Sequence, residues 1–213
     1  ADTNYNIKTS DTATVTFTTA SLTISGGGNV TTNYGTSATS ATFTQSGGSG
    51  SITWSIKKSS DNSDVSGITI AAGVVTVAAT TTANTYAMTV TATDASSNSG
   101  TASMTVTVNK ASMTVVASSH TVTYGDATPS LSRSYTGFVN SEDASSSAFT
   151  TGLVAPSCTT TYTSSTSVSS SGIATSCSGG SATNYSFDTY TAGSITINKA
   201  NQAAISVTST SGT

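Results

Sequence analysis

Residues 106–115, VTVNKASMTV, close one alternating strand, cross a three-residue polar joint and open another alternating strand. The same pattern stands at residues 15–24, VTFTTASLTI, and its first part returns at residues 195–200, ITINKA. Self-similarity at a fixed spacing is the signature of repeat architectures. Each copy reads as the end of one β-sandwich and the beginning of the next. A second, gapless match places residues 4–20, NYNIKTSDTATVTFTTA, on residues 184–200, NYSFDTYTAGSITINKA. It puts Asn4-Tyr5 on Asn184-Tyr185, Val15 on Ile195 and Ala20 on Ala200. The expected organisation is an array with a period of two domains. Residues 1–20 would be the last strands of a preceding domain, 21–110 and 111–199 two whole domains, and 200–213 the first strand of a following one.

Between these joints the apolar residues alternate, as in strands buried on one face. Ile52, Trp54 and Ile56 alternate with Thr53 and Ser55; Tyr86, Met88, Val90 and Ala92 alternate with Thr89 and Thr91. Met104, Val106 and Val108 continue the pattern. Ile68 and Ile70 before Ala71-Ala72-Gly73, with Val75 and Val77 after it, predict a hairpin on a glycine turn. In the second domain Met113 and Val115 open the first strand, and Tyr124-Gly125-Asp126 makes a turn. Tyr135, Phe138, Phe149, Leu153 and Val154 are its core candidates. No segment keeps a helical period. The expected fold is all-β: tandem antiparallel immunoglobulin-like β-sandwiches, with orphan terminal strands belonging to neighbouring repeats.

Composition narrows the function. Only 7% of the 213 residues are charged, six Lys plus Arg against nine Asp plus Glu, for a net charge of −3. Ser and Thr supply the polar faces, and no basic stripe points to nucleic acid. The longest apolar run, residues 71–79, is broken by Gly73 and Thr76 and is far shorter than the roughly 18 residues of a membrane helix. Neither nucleic acid nor membrane insertion is therefore expected. Cys158 and Cys177, the two cysteines, read most simply as one disulfide made outside the cytoplasm.

Chemistry-bearing residues are sparse. His120 is the single histidine and has no neighbouring nucleophile pattern. Glu142 and Asp143 are adjacent, so on a strand they would face opposite ways, and they read as a solvated loop. Asp61, Asp64 and Asp94 are too scattered to gather the oxygens of a calcium site. No catalytic, cofactor or metal residue is expected. Asn29-Val-Thr and Asn184-Tyr-Ser fit the glycosylation sequon, a triplet that a Ser/Thr-rich chain also meets by chance. Asn184 repeats Asn4, which has no sequon, and this favours a turn role. Ser164–Ser171 could carry O-linked sugars on composition alone. Trp54, alternating with Ile52 and Ile56, reads as core rather than as a sugar platform.

Two resemblances follow from these residues. The second domain resembles the bacterial MBG domain family. The resemblance is carried by Tyr124-Gly125-Asp126, Tyr135-Thr-Gly-Phe-Val-Asn140, Cys158-Thr-Thr-Thr-Tyr162, Cys177-Ser-Gly-Gly180, Asn184-Tyr185 and Gly193-Ser-Ile-Thr-Ile-Asn-Lys-Ala200. More loosely, the first is similar to the bacterial Ig-like or cadherin-like group, through Gly67-Ile-Thr-Ile70, Gly73-Val-Val75 and Tyr86-Ala-Met-Thr-Val-Thr-Ala-Thr-Asp94. Both resemblances imply long repetitive bacterial surface or secreted proteins, often adhesins, and neither implies an active site. The expected function is a structural or adhesive extracellular rod, with neighbouring repeats or identical chains as partners. A subunit polymerising by strand exchange is the first alternative. The second is a module binding glycans or host or environmental surfaces, for which Tyr124, Tyr135, Tyr162, Tyr185 and Tyr190 are candidate platforms.

Overall fold

The computed structural model describes residues 21–202. The strands expected within residues 1–20 and beyond Gln202 lie outside the described residues.

Among the described residues nine strands precede Lys110: β1 (Thr23–Gly26), β2 (Val30–Asn33), β3 (Ala38–Thr39), β4 (Phe43–Ser46), β5 (Thr53–Lys58), β6 (Ile68–Ala71), β7 (Val74–Val77), β8 (Asn84–Thr93) and β9 (Ser99–Asn109). They form a four-stranded sheet, β2-β9-β8-β5, a three-stranded sheet, β3-β7-β6, and the pair β1-β4. Seven follow it: β10 (Ala111–Ala117), β11 (His120–Thr123), β12 (Arg133–Thr136), β13 (Ser157–Thr160), β14 (Ile173–Ser178), β15 (Tyr185–Thr191) and β16 (Gly193–Asn198). These build the sheets β12-β10-β15 and β11-β16-β14-β13. A single helical turn, α1 (Ser147–Thr150), and a 3₁₀ turn at Val168–Ser170 complete the set. The fold is thus almost wholly β, as the alternation dictates.

Alternation also chooses the core. In β8, Met88, Val90 and Ala92 are buried; in β9, Met104, Val106 and Val108 are, each stripe facing the same interior. Val75, Val77, Phe43, Ile56 and Ile68 close it from the other strands, with Trp54 half-buried against them. Each such side chain contributes about 1.5–3 kcal/mol by leaving water. In the second half the core is aromatic. Phe149 sits fully buried, with the rings of Tyr135, Phe138 and Tyr185 centred 4.9, 5.1 and 5.7 Å away. Val154, expected in this core, is 62% exposed. Its backbone exchanges hydrogen bonds with Ser181 in an isolated bridge, which fixes the main chain and leaves the side chain outside.

The sheets are not purely antiparallel. β2 runs parallel to β9, β10 to β15 and β11 to β16. In the second half, β10 and β11 follow one another along the first edge of the chain, and β15 and β16 along the last. Each pair changes sheet together, so the first and last strands of the unit lie side by side and point the same way.

The predicted hairpin is β6–β7, with Ile70 opposite Val75 and Ala71 opposite Val74. Its two turn residues, Ala72 (φ 48°) and Gly73 (φ 78°), both have the left-handed backbone that matches the twist of a tight hairpin. Gly73 also accepts the N–H of Phe43 at 2.8 Å, and a Cβ there would lie 2.2 Å from the Phe43 carbonyl oxygen. Gly73→Ala should therefore cost more than about 1 kcal/mol, read as a lower denaturation midpoint. An unchanged midpoint would mean that β4 does not press on this turn.

Candidate functional site: the joint around Glu142

Lys110 alone separates β9 from β10, so the two halves meet within one residue of a continuous strand path. Joint geometry begins with β2. Paired with β9 through Asn33 opposite Asn109, it hands on to Tyr34, whose N–H donates to the Asn109 carbonyl at 2.8 Å. Gly35 follows at φ 92°. A Cβ on Gly35 would lie 2.6 Å from Cβ of Val139, so only glycine lets the 137–142 loop of the second half come this close.

That loop turns through Asn140 (φ 54°) and Ser141 (φ 59°), two non-glycine residues in the left-handed region. Asn140 is steadied by its side-chain amide, which donates to the Ala79 carbonyl of the first half at 3.2 Å. The turn brings Glu142 back over the joint. Its carboxylate accepts from the hydroxyls of Tyr34, in the first half, and Tyr185, in the second, the latter at 2.7 Å. The two rings meet edge to face, 5.6 Å apart. Hydrogen bonds to an ionised acceptor are the strong kind. The expectation of a solvated Glu142 is corrected here: the residue is half-buried, because two left-handed residues fold its loop inward. Asp143 does stay exposed, accepting from Ser145 and Ser146.

Burial, reinforced by the Glu142 hydrogen bond, pushes the Tyr34 and Tyr185 hydroxyls above the usual tyrosine range. Both therefore remain donors through the neutral and moderately alkaline range.

Two further contacts cross the joint, through Lys110 and through Asn184, which is itself held within the second half. Lys110 Nζ donates to the Ala182 carbonyl at 2.7 Å. Asn184 Oδ1 accepts the Ala83 N–H at 3.0 Å, while its Nδ2 donates to the Ala148 carbonyl at 3.1 Å. The Asn184 carbonyl accepts the Ala111 N–H. Asn184 is 6% exposed, and its amide nitrogen is taken up by its hydrogen bond to Ala148 within the fold. Asn29, exposed, uses Oδ1 to accept the Thr105 N–H. One cluster of buried apolar side chains runs through the joint, from Val106, Val108 and Tyr34 to Ala111, Met113, Phe149 and Tyr185.

The remaining candidates lie apart from this joint. Cys158 and Cys177 are joined by a disulfide, opposite one another on β13 and β14. His120, the first residue of β11, shares a hydrogen bond with Ser118 in the link before it. Asp64 pairs with Lys57 at 2.7 Å, and Asp61 lies 3.5 Å from Lys58. Among the described residues no three His, Cys, Asp or Glu gather at one place, and no helix is long and apolar enough to cross a membrane. Of the five candidate tyrosines, Tyr162 and Tyr185 are buried, and Tyr135 stacks on Phe187. Tyr124 and Tyr190 are exposed, Tyr124 just after β11 and Tyr190 on β15 of the other sheet.

Asp94 has a structural use. It is buried, and its carboxylate accepts the N–H groups of Ser49, Ser96 and Asn98 at 2.8–2.9 Å and the Asn98 side-chain amide at 3.0 Å. The Asn98 side chain, followed by these backbone donors, holds its carboxyl below the usual range. An unfolded aspartate titrates near about 3.9. The contribution to stability is therefore whole above that pH and is lost as pH falls through the lower folded value. Asp94→Asn should be less stable at neutral pH and should flatten the loss below about pH 4. A parallel acid limb in the variant would refute this role.

Sequence reasoning missed Tyr34, Lys110 and Glu142 as the parts that couple the halves. The available signal was the recurrence of Tyr34-Gly35 as Tyr124-Gly125, alongside Asn109-Lys110-Ala111 as Asn198-Lys199-Ala200.

Residues 113–196 match the family model of the MBG domain, YGX type, and the match takes in Tyr124-Gly125-Asp126. No curated protein matches the chain. Among solved structures, the chain is similar to Drosophila N-cadherin EC1-4, at 10% identity and a TM-score of 0.44, with 85% of this chain and 50% of that one covered. It thus spans about half the length of that protein. The N-terminal four Ig domains of Dscam1 isoform 4.44 align at 10% identity, over 86% of this chain and 45% of that one, with a TM-score of 0.36. A 1.5-MDa bacterial ice-binding adhesin aligns at 14% identity, over 84% and 65%, with a TM-score of 0.25.

Proposed function

We propose that this chain is part of an extracellular adhesive repeat protein of a bacterial surface, in which successive β-sandwiches are coupled end to end as a semi-rigid rod. The joint carries the reading. A spacer needs its units held at a fixed angle, and a single-residue link alone would still pivot. Here Tyr34, Glu142 and Tyr185 bridge the link, Asn184 and Lys110 add two more anchors, and the apolar cluster continues across it. In repeat proteins length is added by units whose contacts are with their neighbours.

The MBG match at residues 113–196 supports a surface or secreted setting, and the disulfide fits an oxidising compartment. The Ser/Thr-rich faces and 7% charge suit a rod whose solubility changes little with salt. Among the described residues no cluster of three His, Cys, Asp or Glu speaks for an enzymatic reading. Adhesion would be exerted at surfaces the rod projects toward, with neighbouring repeats as its constant partners.

Residual dipolar couplings of the full chain test the rod. A stiff joint requires couplings from residues 23–109 and 111–198 to fit one alignment tensor of one magnitude. Two tensors of different magnitude would show a hinge at Lys110 and remove the reading. Glu142→Ala should then reduce the agreement between the halves.

A further inference from the structure

The far end of the second half repeats, position for position, the half-joint that the first half presents to it. β2 ends Asn33-Tyr34-Gly35 and β11 ends Thr123-Tyr124-Gly125; β9 ends Asn109-Lys110-Ala111 and β16 runs out through Asn198-Lys199-Ala200. β2 runs parallel to β9 and β11 to β16, ending in the same register, Asn33 opposite Asn109 and Thr123 opposite Asn198. Tyr34 N–H donates to Asn109 at 2.8 Å and Tyr124 N–H to Asn198 at 2.9 Å. The turns close alike, Thr36 onto Asn33 and Asp126 onto Thr123, and the glycines share φ, 92° and 98°.

What differs is occupancy. Tyr34 is 3% exposed and Tyr124 48%. A Cβ on Gly35 would strike Val139, whereas one on Gly125 would meet nothing within 4 Å. Lys110 Nζ holds a carbonyl of the next unit. Lys199 instead borders a hollow of about 470 Å³ with Tyr124, Ser165, Ser167, Val168 and Ala200.

We propose that the Tyr124–Lys199 face is a docking surface for a further β-sandwich carried on the same polypeptide, entered through Ala200 as β10 is entered through Ala111. The gapless match of residues 4–20 to 184–200 identifies the occupant as a unit of the first-half type, since such a unit follows residue 20. Tyr124 then plays the part of Tyr34, donating its hydroxyl to a loop acceptor of the incoming unit. Lys199 plays that of Lys110, and Gly125 gives the incoming loop its close approach. The proposal rests on the rod reading, which concerns the Lys110 joint; this one concerns the opposite end.

The test is a longer chain in which residues 1–200 run directly into a second copy of residues 21–213, with Tyr124→Phe in the second copy to silence its signal. Hydroxyl-radical oxidation of Tyr124, read by mass spectrometry, is compared with that in the 213-residue chain. Docking predicts a several-fold fall in rate, toward that of Tyr34, and recovery of the faster rate when Gly125→Val in the first copy blocks the approach. An unchanged Tyr124 rate overturns the proposal. So does protection that appears in the 213-residue chain on raising its concentration, because the occupant would then be a separate copy. Dipolar couplings that fit one tensor across Lys110 while Tyr124 stays reactive would sink this inference and leave the rod reading standing.

Discussion

Truncating Tyr185 to alanine is expected to destabilise the second half by about 3–5 kcal/mol, the usual cost of removing a fully buried aromatic ring. The ring is 0% exposed and touches Tyr34, Phe138 and Phe149 at centroid distances of 5.6–5.8 Å. No neighbour can collapse into the space without breaking its own edge-to-face contacts. Against the 5–15 kcal/mol that holds an ordinary domain, roughly, the loss is decisive. Tyr185→Phe separates ring from hydroxyl. It keeps the packing but leaves the Val139 N–H without its acceptor at 3.2 Å and Glu142 with Tyr34 alone, a loss of about 1–3 kcal/mol. Trp54, the one tryptophan, lies in the first half, so its fluorescence reports that half while circular dichroism reports both. In urea, Tyr185→Ala should lower the dichroism midpoint strongly and carry the Trp54 transition down with it in part, because the joint is lost too. A shift below about 1 kcal/mol would contradict the packing seen here.

The same residue fixes a pH response. Unfolded tyrosine ionises near about 10. Burial and Glu142 hold the folded Tyr185 hydroxyl protonated well above that. Stability from this source is present below the unfolded value and lost as pH rises beyond it. Tyr185→Phe should therefore show a shallower alkaline decline than the parent chain.

The face each residue takes could be read from the sequence, but the partners could not. Alternation placed Met88, Val90 and Ala92 on one side of β8, and the Ala72-Gly73 turn was visible from its residues, because both depend on neighbours within a few positions. Alternation carries no information on which strand lies beside which. The parallel pairings of β2 with β9 and of β11 with β16 therefore came only with the structure. Glu142 shows the same limit at the joint. Its role depends on Asn140 and Ser141 adopting left-handed conformations, and on two tyrosines more than 40 residues away on either side. Asn184 was legible in part: its match to Asn4 pointed to a turn role, but not to the Ala83 and Ala148 backbone groups it binds.

Removing the disulfide, by Cys158→Ser with Cys177→Ser or by reduction, should cost about 3 kcal/mol, the chain-entropy value for closing a loop of this length. The two cysteines lie 19 residues apart and face each other across β13 and β14. β13 is an edge strand with a single neighbour, and the segment after it, residues 161–172, has Tyr162 as its one buried apolar side chain. Hydrophobic burial alone therefore secures this edge weakly, and the cross-link holds what packing does not. The loss should be local. Amide exchange should quicken in Ser157–Thr160 and in the facing Thr175–Ser178, and the denaturation midpoint of the second half should fall. The Trp54 transition of the first half should move far less than in Tyr185→Ala, because Cys158 and Cys177 belong to a different apolar cluster from the one that crosses the joint. A full-sized shift in Trp54 would mean that the staple supports the joint as well as the edge. No shift in either probe would mean that the bond contributes nothing to the fold, and would take away the chain's clearest physical tie to an oxidising compartment.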